Sequence, residues 1–67
     1  MKFKLKEEYI QLNNLLKTLS LVGSGGEAKF LIQDGLVIVN DKVETQVRKK
    51  LRVGDVVTFQ DNTISIL

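Results

Sequence analysis

Three features of the 67-residue sequence predict an α+β fold, with two short helices packed against a small, mostly antiparallel sheet of three to five strands. Leu12, Leu15, Leu16 and Leu19 fall at i, i+3, i+4 and i+7, the single apolar stripe of a helix. Ser24-Gly25-Gly26-Glu27 has capping-box spacing ahead of Ala28, Leu31 and Ile32, which marks the start of a second helix. After Gly35 the period shortens to β-branched runs separated by turn residues.

Each element follows in order. Lys2-Phe3-Lys4-Leu5-Lys6 alternates polar and apolar, so it reads as a strand with Phe3 and Leu5 on one face. The first helix is expected over 9–19, with Glu7 and Glu8 at its positive end and Lys17 at its negative end. Asn13, Asn14, Lys17 and Thr18 are expected to face water. The second helix runs about ten residues from Ser24 to the stop at Asp34-Gly35. Only Ser20 to Ser24 separate the two, which forces a tight pair. Strands follow at 36–39, 42–43, 56–59 and 63–67, with turns at Asn40-Asp41 and Gln60-Asp61-Asn62. Residues 47–53 are expected to be extended, with Val47, Leu51 and Val53 inward, and Lys49 on that side at an edge. Phe3, Tyr9 and Phe59 are expected in the core; Phe30 is either a core-rim residue or a base-stacking platform.

Composition narrows the function. A single domain over 1–67 is expected, since so short a chain holds one core. Apolar residues make up 43% and charged ones 27%, the balance of a globular chain. Cysteine and histidine are absent, which excludes thiol chemistry and removes the commonest general base and metal ligand. No carboxylate pair suggests hydrolysis, so the expectation is a protein that is not an enzyme and uses no cofactor. With no leader-like start and no long apolar run, a cytoplasmic protein without membrane contact is expected.

Charge is unevenly placed. Residues 42–52 carry Lys42, Arg48, Lys49, Lys50 and Arg52 against Glu44 alone, more than the chain's whole net charge of +2. Such a cluster repels itself unless an anion relieves it, which points to nucleic acid or another polyanion. A solvated edge strand guarded by lysine is the competing explanation. If extended, Arg48, Lys50 and Arg52 project on one face about 6.6 Å apart. The second candidate is Ser24, Gly25, Gly26 and Lys29, where glycines leave helix N-terminal amides approachable to an anion. A nucleotide P-loop does not fit, because Ala28 and Phe30 replace its glycine and hydroxyl. The glycines otherwise serve only a close turn.

The order of these pieces resembles the S4-like RNA-binding domain, or αL motif. The match includes Leu12, Leu15 and Leu16, then Ser24, Ala28, Lys29, Leu31 and Ile32. It continues through Gly35, Val37, Val39 and Asn40 to Lys50, Leu51, Gly54, Asp55 and Val56, covering about 9–59. The small free-standing YaaA type is the nearer likeness, through residues 24–29 and Arg48-x-Lys50-Leu51. The resemblance implies an S4-like fold and non-catalytic binding of structured RNA, ribosomal RNA above all, in ribosome assembly or maintenance. The implied RNA site lies across the helix pair and the basic loop, with Ser24, Gly25, Gly26, Lys29, Arg48, Lys49, Lys50 and Arg52 as its residues. Gln11-Leu12-Asn13 departs from the Arg-Leu-Asp common in the family, and Gly25 stands where many members carry Arg. Both departures remove a phosphate contact, which leaves room for a ribosomal or other protein partner. The alternatives are an adaptor for an acidic protein and, less favoured, a DNA reader, whose second helix would present Lys29 and Gln33 beside Glu27 and Asp34.

Overall fold

The structure is a computed structural model that describes residues 1–67. The chain runs β1 (Lys2–Phe3), β2 (Ile10–Gln11), α1 (Leu12–Thr18), α2 (Gly25–Gln33), β3 (Val37–Val39), β4 (Lys42–Val43), β5 (Lys50–Leu51), β6 (Val56–Phe59) and β7 (Asn62–Ile66). Five strands form one sheet in the order β1-β7-β6-β3-β4, antiparallel except where β1 joins β7. β2 and β5 form a separate antiparallel ribbon.

One face of the sheet is apolar because strand side chains alternate. Val37 opposes Phe59, Val39 opposes Val57, and Val57 opposes Ile64, all buried. The helices cover that face with Leu12, Leu15, Leu16, Ala28 and Ile32, and Leu51 joins from the ribbon, all fully buried. The expected class and helix pair are therefore present, and Leu12, Leu15 and Leu16 of the leucine stripe are buried, while Leu19, at the C-cap, packs on the core only partly buried.

Both helices end in paired backbone bonds. Gly35 adopts φ 81°, and the Gly35 and Leu36 amides donate to Ile32 and Leu31 carbonyls. Ser20 makes the same closure for α1 at φ 58°, where its amide and that of Leu21 donate to Lys17 and Leu16. Asn40 and Asp41, at φ 51° and 68°, form the tight β3–β4 turn that their residue types favour.

Three expectations need correction. First, α1 begins at Leu12 rather than near residue 9, because Ile10–Gln11 pair with Lys50–Leu51 instead. Glu7 and Glu8 therefore lie outside the helix. Second, residues 47–53 are not one strand: a turn at Val47–Arg48 interrupts them, closed by the Lys49 amide donating to Gln46 at 3.2 Å. The even row of Arg48, Lys50 and Arg52 is lost, and Val53 is 69% exposed beside the Gly54 turn. Third, Tyr9 leaves the core and is half-buried beneath cations, and Phe30, 66% exposed, is not the core-rim residue that was one of its two readings. Phe59 is buried, and Phe3 packs on the core from its margin, as expected.

A candidate nucleic-acid interface

The basic segment is fastened to α1 by its backbone. Gln11 offers no side-chain cap; instead the Leu12 amide donates to the Lys49 carbonyl at 2.8 Å and the Asn13 amide to Val47 at 3.1 Å. These bonds satisfy two of the orphan donors that every helix start leaves. Leu51, wholly buried, anchors the same segment in the core. Arg48 thus projects from a turn held between two fixed points.

At the start of α2, the Ser24 hydroxyl accepts from the Glu27 amide at 3.1 Å. The Glu27 carboxylate accepts from the Gly23 amide at 2.8 Å, one residue earlier than a reciprocal box requires. That arrangement stabilises the helix start by about 1 kcal/mol. It leaves the Gly25 and Gly26 amides without intrahelical partners. Neither glycine has a side chain to shield them.

These two starts face one another across a cleft of about 590 Å³, whose walls include Asn13, Gly25, Gly26, Lys29, Gln33 and Arg48. Val47 is its single apolar lining residue. Gly25, Gly26, Lys29 and Arg48, four of the residues named from sequence, therefore meet in one place. Ser24 acts from the flank as the cap. A Cβ on Gly25 would lie 3.9 Å from the Lys17 ammonium, so a further cation stands at the cleft edge. Sequence reasoning placed Lys17 at the end of α1, facing water; its spacing one turn beyond Asn13 is the signal that groups it with the cleft. Asn13 was expected in water, yet it is half-buried, and its Oδ1 is buried without a partner.

The other three cations lie elsewhere along the segment. Lys50 Nζ sits 4.9 Å and Arg52 Cζ 5.8 Å from the centre of the Tyr9 ring, the geometry of cation–π attraction. Arg52 also approaches Glu8 at 3.9 Å, an exposed and loose pair that contributes little. It is the only side-chain ion pair in the protein, so Lys17, Lys29 and Arg48 have no carboxylate within 4.0 Å. Lys49 is half-buried, and its charge acts on Asp55.

Asp55 holds the far end of the segment. It accepts from the Arg52 amide at 2.8 Å and from Asn40 Nδ2 at 2.9 Å, while Asn40 Oδ1 accepts from the Val56 amide at 2.9 Å. Asn40 and Asp55 are therefore scaffold. Burial pushes the Asp55 carboxyl upward, but these two hydrogen bonds and the charges of Lys49 and Arg52 outweigh it, holding it below its ordinary 3.8. With the folded value below the unfolded one, Asp55 stabilises the fold above about pH 3.8 and loses that effect as pH falls through the folded value. Asp55→Asn is expected to lower the urea midpoint at pH 7, and its deficit against wild type to shrink below about pH 3.8. A deficit that stays constant with pH contradicts the charge assignment.

Comparison with known proteins places this geometry among relatives. The S4 domain family model matches residues 3–67. The probable ribosome maturation protein RlbA of Bacillus subtilis is 40% identical over 53 residues, 79% of this chain and 75% of that protein. The putative RNA-binding protein YbcJ of Escherichia coli is 34% identical over 62 residues, 92% of this chain and 89% of that protein. The solution structure of YbcJ, described as revealing an αL motif involved in RNA binding, superposes with a TM-score of 0.74, covering 98% of this chain and 85% of that one. On a sequence match spanning nearly its whole length and a shared fold, the chain belongs to the S4 domain family.

Proposed function

We propose that this protein is a non-catalytic RNA-binding module that grips structured RNA, ribosomal RNA in particular, and serves ribosome assembly or maintenance in the cytoplasm. One observation carries the reading: Lys29 and Arg48 line a cleft with the Gly25-Gly26 start of α2, Lys17 stands at its edge, and none of the three cations pairs with a carboxylate. Uncompensated cations beside backbone donors suit phosphate oxygens. The similarity to RlbA, a probable ribosome maturation protein, and to YbcJ, a putative RNA-binding protein, supports the choice of ligand and setting.

Gly25, Gly26, Lys29 and Arg48 hold phosphate in the cleft, with Ser24 fixing the helix start, while Lys49, Lys50 and Arg52 extend the contact along the ribbon. Such contacts read the shape of an RNA helix rather than its sequence. A ribosomal or other protein can strengthen the complex where Gln11 and Gly25 withhold cations.

Competition between a structured RNA hairpin and duplex DNA, followed by gel shift across salt concentrations, tests this. With about four phosphates neutralised, the log–log salt slope is about −3 to −4, and affinity falls on the order of a hundredfold from 50 to 200 mM salt. Preference for duplex DNA overturns the reading. A partner protein captured equally well after nuclease treatment and in high salt, with no RNA binding, favours an adaptor instead.

A further inference from the structure

A second concavity lies on another side of α1. The N-terminal segment and the helix enclose an open groove of about 510 Å³, within the range that holds small ligands. Its floor is Phe3, Leu5 and Ile10, which pack partly buried against the core. Lys4, Lys6, Asn14 and Thr18 line its rim and are exposed. Tyr9 also lines it, and its ring carries Lys50 and Arg52. The groove and the basic ribbon therefore share one aromatic residue.

The chemistry of this groove is mixed in a particular way. An apolar floor accepts the faces of a flat ring; an amide and a hydroxyl offer both donor and acceptor to its edge. The charges around it are Lys4, Lys6, Lys50 and Arg52 against Glu7 and the Arg52-paired Glu8, a net positive rim that favours an attached phosphate. An amphipathic peptide helix asks for a wider apolar stripe than these three side chains provide. On α1, Asn13 faces the α2 cleft, while Asn14 and Thr18 face the groove. The helix, about 10 Å across with its side chains, separates the two sites.

We propose that this groove is a second RNA contact that takes one unpaired nucleotide adjoining the helical RNA held in the cleft. The base lies on Leu5 and Ile10 beside Tyr9, Asn14 and Thr18 meet its edge, and Lys4 and Lys6 meet its phosphate. The inference rests on the RNA-binding reading above and adds to it a single-strand preference.

Fluorescence anisotropy with the full chain separates the two. The probes are one blunt RNA hairpin and the same hairpin with a three-nucleotide single-stranded tail at its 5′ or its 3′ end. For wild type, one of the tails is expected to raise affinity about tenfold, which burying roughly 55 Å² of base surface against apolar side chains at about 25 cal/mol per Å² supplies. Asn14→Ala with Thr18→Ala is expected to abolish that gain while leaving blunt-hairpin affinity unchanged, and Lys6→Ala to reduce it. Both helix positions are exposed, and circular dichroism checks that the variant folds. Blunt-hairpin binding with no gain from either tail, or a gain that survives the double substitution, overturns the groove proposal alone. Failure of wild type to bind any hairpin overturns both.

Discussion

Arg48→Ala combined with Lys29→Ala is expected to weaken binding of structured RNA by about ten- to a hundredfold, taking charged hydrogen bonds at about 1.5–3 kcal/mol before partial compensation by neighbours. The salt slope is expected to shallow by about 1.4–1.8, since two phosphate contacts disappear. Both side chains are exposed and neither pairs with a carboxylate, so the fold is expected to lose little. Equal substitution of Lys2 and Lys42, which lie on the edge strands β1 and β4, serves as the charge-matched control. If the control pair weakens binding as much as the cleft pair, net charge rather than the cleft is responsible.

Leu51→Ala is expected to have the largest effect on stability. Leu51 is wholly buried, and truncating such a residue costs about 2–5 kcal/mol. A 67-residue domain has roughly 3–10 kcal/mol in all, so the variant is expected to lose a large share of its stability at 25 °C. The consequence reaches the site. Loosening β5 withdraws the Lys49 and Val47 carbonyls from the first amides of α1, and Arg48 moves with them. Urea denaturation measures the loss; an unchanged midpoint contradicts the role assigned to this anchor. RNA affinity regained in a stabilising osmolyte separates lost folding from lost contacts.

The parts of the structure that were legible are those whose causes are local. Ser24 and Glu27 announce the start of α2 within four residues, and Gly35 announces its end, because capping and left-handed closure act between near neighbours. The leucine stripe of α1 and the Asn40-Asp41 turn were readable for the same reason. The start of α1 was not. Its amides are satisfied by carbonyls more than thirty residues away, and no pattern at Tyr9–Leu12 signals that partner. Ser20, with a side chain where glycine is usual, likewise closes α1 without the expected punctuation.

At the interface, the grouping of Gly25, Gly26, Lys29 and Arg48 was foreseen, while the shape of the basic segment was not. Alternation of Val47, Leu51 and Val53 with cations imitates a strand, but the segment must turn at Arg48 to deliver two carbonyls to α1. That turn sends Arg48 to the cleft and leaves Lys50 and Arg52 at Tyr9. Tyr9, half-buried rather than in the core, presents its ring to those cations. Of the motif residues, Asn40 and Asp55 brace the scaffold, whereas Lys17 joins the cleft with no motif to mark it.

The most direct test of where RNA binds is a titration of the isotopically labelled chain with an RNA hairpin, followed amide by amide in solution. The account predicts that the largest shifts fall on Asn13 to Lys17, Ser24 to Lys29 and Gln46 to Arg52, with the β6–β7 turn and the exposed edge of β4 unaffected. Shifts centred on that edge or turn, with the three segments silent, would contradict it.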